Sequence, residues 1–280
     1  MEIRLLGEIE VSADGIRLPL GGPRQRAVLA DLALHAGQAV PAVQLIDDLW
    51  GERPPASARP TLESYVSRLR HVLNAAGADG ASLETTPAGY MLDAVPEHVD
   101  TWQFRDLTAS GSGALERGDA ATAVTLVTSA LALWRGPALA DVREAPFAVL
   151  AAQWLEDERL TALEKLAEAR LRLGQHRELV PELETLIAGS PYREGFHAQL
   201  MLALYRSGRQ AEALAAFRRA RELLTGELGI EPGRELRELQ AAILLQAPEL
   251  EPASGGAVQR ALRPAAASRP AWPPSACRSC

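Results

Sequence analysis

Within residues 58–73, Leu62, Tyr65, Val66, Leu69, Val72 and Leu73 recur at i, i+3, i+4, i+7, i+10 and i+11. That spacing is one face of an amphipathic helix and fits no strand period. The outward arc carries Glu63, Ser64, Ser67, Arg70 and His71, flanked by Thr61 and Arg68. Long basic donors mixed with short hydroxyls suit a helix lying in a major groove, where Arg pairs bidentately with guanine and Ser or Thr reaches either base. An ordinary solvated helix face would look much the same, so the neighbouring elements have to decide.

Upstream, Ile3 and Leu5, then Ile9 and Val11, flank a turn at Ser12-Ala-Asp-Gly15, and Ile16-Arg-Leu18 returns, which predicts a β-hairpin. Gly21-Gly-Pro23 ends it; with no Lys-Ser/Thr following, those glycines are a turn and not a phosphate loop. Residues 25–35 carry Val28, Leu29, Leu32 and Ala33 on a helix closed near Gly37. Pro41 opens a second short helix with Val43, Ile46, Leu49 and Trp50 as its expected core side, stopped by Gly51. After the loop 53–57 and the helix described first, residues 82–86 and 90–92 flank Pro87-Ala-Gly89 as a second hairpin. Three helices closed by a hairpin is the order of a winged helix-turn-helix, whose third helix enters the groove while the wing touches the backbone.

From Asp100 onward the pattern becomes helix upon helix. Asp100 is placed to cap a helix carrying Trp102, Phe104 and Leu107; a second runs 120–134, and a long third runs from about residue 147 to 173. Leu166, Ala169, Gly174, Leu179 and Leu183 are matched 34 positions later by Leu200, Ala203, Gly208, Ala213 and Phe217. A 34-residue period with Gly between helices is the tetratricopeptide pattern, set against the plainer reading of a generic helical bundle. Gly118, Ala123 and Val127 share the phase, with about 22 residues inserted before the next unit. After Gln246 the periodicity ends among Pro, Ala, Ser and Arg, which predicts a disordered tail.

Composition changes this picture little. At 280 residues and 47% hydrophobic, the chain can bury two cores. Residues 1–100 hold eight Arg against fourteen Asp or Glu, a net of −6, which argues against a strongly basic DNA-binding surface. Residues 52–71 nonetheless hold Arg53, Arg59, Arg68 and Arg70 against only Glu52 and Glu63, and local potential governs phosphate contact. The N-terminus has no secretory pattern and no apolar run approaches a membrane span, so a cytoplasmic protein is expected. Cys277 and Cys280 form a lone C-x-x-C without a second ligand pair. The five histidines include no i, i+4 pair for zinc, and no nucleophile elbow is present. Carboxylate runs such as Asp47-Asp48 and Glu156-Asp157-Glu158 have solvated-face spacing. Neither an enzyme nor a cofactor or metal site is expected.

Leu20-Gly-Gly-Pro-Arg-Gln-Arg-Ala-Val-Leu29, Leu45-Ile-Asp-Asp-Leu-Trp-Gly51, Ser64-Tyr-Val-Ser-Arg-Leu-Arg70 and Pro87-Ala-Gly-Tyr90 resemble the OmpR-type DNA-binding domain of the SARP family, the AfsR/DnrI/RedD-type activators of actinobacterial secondary-metabolite pathways. Leu214-Ala-Ala-Phe-Arg-Arg-Ala-Arg221, Leu228-Gly-Ile-Glu-Pro-Gly233 and Glu235-Leu-Arg-Glu-Leu239 resemble the end of that family's bacterial transcriptional activator domain. Pro41, Pro60 and Glu63 depart from the family pattern, so base preference does not carry over. No P-loop signature such as longer members carry occurs in the chain, and no phospho-receiver domain is expected ahead of residue 1.

The resemblance implies a mainly α protein: a winged helix-turn-helix with small β-hairpins over residues 1–98, an all-α tetratricopeptide-like activator domain over 99–246, and a tail over 247–280. It implies a transcriptional activator, of an antibiotic gene cluster, that binds promoter direct repeats in double-stranded DNA as a homodimer and engages RNA polymerase holoenzyme. Its expected DNA contacts are Arg59, Thr61, Ser64, Ser67, Arg68, Arg70 and His71 on the reading helix and Thr86 on the wing. The competing readings are a tetratricopeptide interaction scaffold and a ligand-responsive regulator.

Overall fold

The structure is a computed structural model that describes residues 1–75, 77 and 81–251. Most of the expected tail, Cys277 and Cys280 included, lies outside the described residues. The first tail residues are ordered: Pro248–Leu250 forms a 3-10 turn and Leu250 is buried. By compactness the chain divides into two units, residues 1–110 with 126–162, and residues 111–125 with those from 163 onward.

The first unit opens with the strands β1 (Glu2–Arg4), β2 (Glu10–Ala13) and β3 (Ile16–Arg17), an antiparallel sheet with Ile3 opposite Val11. Asp14 and Gly15, both at positive φ, make the β2–β3 turn. Helix α1 (Pro23–Leu34) begins two residues earlier than the apolar pattern alone predicts, because Pro23 is pre-set for the first helical turn. Strand β4 (Ala39–Val40) follows, then α2 (Ala42–Trp50) and α3 (Ala58–Ala75). The core side of α2 is Leu45 and Leu49; Val43, expected inside, is 65% exposed. Leu45 and Leu49 are one turn apart, and the face centred on them turns Val43 outward.

Strands β5 (Ala81–Thr86) and β6 (Gly89–Ala94) form the second hairpin, and β4 joins it in the order β4-β6-β5. Val40 pairs with Tyr90, which brings the β4 backbone onto Gly89. A Cβ on Gly89 would sit 2.0 Å from the Val40 carbonyl oxygen, and its φ is +148°. Only glycine fits there.

Helices α4 (Asp100–Glu116), α5 (Ala120–Ala132) and α6 (Pro146–Arg172) each contribute residues to both units. In the first unit Phe104 meets Trp134 edge-on at 5.5 Å, and the Arg105 guanidinium stacks 4.2 Å from the Trp154 ring centroid while its Nε donates to Glu158 at 3.1 Å. Asp100 opens α4. Its buried carboxylate accepts hydrogen bonds from the backbone N–H of Leu5 and Leu6 at 2.8 and 2.9 Å. The same segment is stitched to residues 135–141. Leu6, Leu5 and Gly7 accept from the N–H groups of Arg135, Leu139 and Ala140, and Ile9 donates to Asp141.

In the second unit α7 (His176–Gly189), α8 (Glu194–Arg206), α9 (Gln210–Leu223) and α10 (Arg234–Leu244) follow one another, and the 34-residue period is visible in the backbone. Gly118, Gly174 and Gly208 have φ of 83°, 82° and 78°. At each, the glycine N–H bonds the carbonyl three residues back, and the next N–H bonds the carbonyl five back. These are three copies of one left-handed helix stop. Ala123, Leu179 and Ala213, five residues on, are all buried, as are Val127, Leu183 and Phe217 four further.

Candidate nucleic-acid interface

Ala58, Leu62, Val66, Leu69 and Leu73 bury one stripe of α3, which leaves a continuous outward stripe for the polar residues. Tyr65 and Val72, at the stripe's edges, are half-buried. Arg59, Glu63, Ser67, Arg68 and His71 are exposed; Thr61, Ser64 and Arg70 are half-buried. Arg59 lies 3.5 Å from Glu63 one turn on, so part of its charge is offset on the helix itself. Arg68 makes no ion pair among the described residues and is exposed at the flank of the stripe.

Arg70 is placed differently. Its Nε donates to the Leu83 carbonyl and its Nη2 to the Thr85 hydroxyl, both at 2.8 Å, so its guanidinium ties α3 to strand β5. Sequence reasoning missed both partners. The available signal was the strand period, since Ala81, Leu83 and Thr85 share the face of β5 that turns toward α3. Thr86 shapes the wing turn: its hydroxyl donates to the Gly89 carbonyl at 3.2 Å and accepts from the Ala88 N–H at 3.3 Å. Arg59 through His71 thus share α3, and Arg70 alone of these reaches the wing through its side chain.

Asp31 of α1, buried, and Asp48 of α2, half-buried, form an acidic pair between the two helices. Asp31 is 1% exposed, and its Oδ1 lies 3.2 Å from His35 Nδ1. Its Oδ2 is buried, and the Asp48 carboxyl, when protonated, hydrogen-bonds to the Asp31 carboxylate. Burial, reinforced by the Asp31 charge, pushes Asp48 up to about 7, and the bond to Asp31 raises His35. Elsewhere, the described residues include no group of three or more His, Cys, Asp or Glu that could hold a metal. No described helix is long and apolar enough to cross a membrane.

A core-anchored helix with a polar, Arg-bearing outer stripe, braced by a β-hairpin wing and followed by stacked helix pairs, defines a winged-helix transcriptional regulator. Residues 18–92 match the family model described as "Transcriptional regulatory protein, C terminal", and residues 99–244 match "Bacterial transcriptional activator domain". The chain is 40% identical to the regulatory protein DnrI of Streptomyces peucetius over 257 residues, covering 90% of this chain and 94% of that one. It is likewise 40% identical to the transcriptional regulator RedD of Streptomyces coelicolor over 258 residues, covering 90% and 72%. Among solved structures it is similar to Mycobacterium tuberculosis EmbR in complex with a low-affinity phosphopeptide, with a TM-score of 0.85 and 38% identity, covering 88% of this chain and 65% of that one. The chain belongs to the SARP family of transcriptional regulators.

Proposed function

We propose that this regulator is an activator that reads promoter DNA with α3 in the major groove and steadies itself on the backbone with the wing. The observation that carries the reading is the outer stripe of α3, where Arg68 stands exposed between Ser67 and His71 while the opposite stripe is locked in the core. Arg68, Ser64 and Ser67 contact base edges; Arg59, Thr61 and His71 approach the phosphates, and Thr86 holds the wing turn against the backbone. The basic surface of one winged helix is small, so two protomers bind direct repeats and the area doubles. Residues 1–98 bind DNA, and residues 99–246 hold the second protomer and RNA polymerase, with a secondary-metabolite gene cluster as the target. The role is regulatory and non-enzymatic, inside the cytoplasm.

The test is an electrophoretic gel shift of the full chain on the promoters neighbouring its own gene, beside Arg68→Ala. Specific retardation by the wild type, lost in a variant with an unchanged melting curve, supports the reading. Equal retardation by both proteins removes α3 as the reader.

A further inference from the structure

We infer that Arg70 is a positioning residue for the wing: its guanidinium fixes where the β5–β6 hairpin stands relative to α3 and does not itself touch DNA. The inference rests on the winged-helix reading above. Arg68 and Arg70 are two residues apart, and a helix turns about 200° over that step, so they cannot serve the same surface. Arg68 is exposed; Arg70 is half-buried and its fork is already occupied by Leu83 and Thr85.

Strand topology explains why such a fork is needed. In the order β4-β6-β5, β5 is an outer strand, so backbone groups along its open side have no strand partner. Arg70 donates to one of them, the Leu83 carbonyl, and to the hydroxyl two residues on, spanning two successive positions of the same strand face. Leu83 is 3% exposed, so a carbonyl there that lost its charged donor would be poorly compensated by water. Swinging the guanidinium out to a base would forfeit both bonds. Besides that fork, α3 packs on β5 with buried apolar residues on both elements, Leu69 and Leu73 on α3 and Ala81 and Leu83 on β5, and apolar contacts hold two elements together without fixing their angle. A planar two-point fork does fix it.

Fluorescence anisotropy on a duplex the full chain retards, at a series of salt concentrations, distinguishes a clamp from a DNA contact. The variants are Arg68→Ala, Arg70→Ala, Arg70→Lys, Thr85→Val and the double Arg70→Ala, Thr85→Val. Loss of a phosphate contact lowers the log–log salt slope by about 0.9. For Arg70→Ala the expected result is roughly a ten-fold weaker affinity with the wild-type slope. Arg70→Lys keeps the charge but cannot form the fork, and should be as weak as Arg70→Ala. Thr85→Val should weaken binding in the same direction, and the double variant should be no weaker than Arg70→Ala, because both act through one bond network. Amide hydrogen exchange of residues 81–94 should accelerate in all four Arg70 and Thr85 variants.

A slope reduced by about one contact in Arg70→Ala, full rescue by Lys, or unchanged affinity in Thr85→Val would each overturn the inference. Arg70→Ala could unfold the winged helix, and Thr85→Val, which removes only the hydroxyl, keeps the question decidable. If the wild type binds no duplex, the DNA reading itself fails, and that result is distinct from any difference between variants.

Discussion

The Asp100 carboxylate accepts hydrogen bonds from the Leu5 backbone N–H at 2.8 and 2.9 Å, across 95 residues of sequence. Leu5 and Leu6 are fully buried, so without Asp100 two interior donors would lack acceptors. Each orphaned donor costs about 1–3 kcal/mol, and Asp100→Ala should destabilise the chain by roughly 2–5 kcal/mol. Urea unfolding monitored by tryptophan fluorescence measures this. A fragment ending at residue 98 lacks the same acceptor and should unfold at lower urea than the winged helix within the full chain.

A pH-dependent stability follows from Asp48 and His35. Asp48 has a folded-state value of about 7 against 3.8 for an ordinary Asp, so between those limits the folded chain binds the extra proton. Stability therefore falls as pH rises from about 4 to about 7 and levels above that. His35, raised by Asp31, acts in the same direction, its contribution being lost as pH rises through its folded value. Asp48→Asn should leave the melting temperature near wild type at pH 4 and raise it by a few degrees at pH 8. Equal melting shifts at both pH values would show that the carboxyl pair does not titrate this way.

For DNA affinity, a small basic surface predicts a shallow salt dependence. The log–log slope should be roughly −3 to −5 per bound domain, and Arg68→Ala should cost about 1–3 kcal/mol. Isothermal titration or anisotropy across a salt series tests both. A slope near −10 per protomer would require a basic surface that neither α3 nor the wing provides.

In the repeat unit Ala213 is fully buried one turn from Phe217. Ala213→Trp should overpack α8 and α9 at a cost of about 1–3 kcal/mol and abolish activation in a reporter assay. The winged helix, expected to bind DNA without that unit's help, should retain weak binding. Activation by residues 1–98 alone, equal to that of the full chain, would remove any role of the repeats.

Much of this architecture is legible in the sequence where a period is long enough to be read. The stripe of α3 spans four turns, and the three glycines share one phase, so both could be read from spacing alone. What could not be read is short or distant. Two residues of β4 define no period. Val43 sat on the wrong side because a nine-residue helix allows more than one apolar stripe. Residues 135–141 fall between the helices expected over 120–134 and about 147–173, and their backbone bonds to residues 5–9 leave no trace in side-chain pattern. At the interface, the α3 residues were found from spacing, but the Arg70 fork was not, because it depends on the register of an edge strand.

The bonds between residues 5–9 and 135–141 also set an order of events during synthesis. Chains emerge at roughly 5–20 residues per second, so on the order of ten seconds separates the appearance of Leu5 on the ribosome from that of its partner Leu139. Throughout that interval the first strand can pair with β2 but cannot close its buried polar groups. The winged helix, though first to be made, completes its fold only when part of the following domain has left the tunnel, and a nascent chain stalled short of residue 141 would carry an unfinished DNA reader.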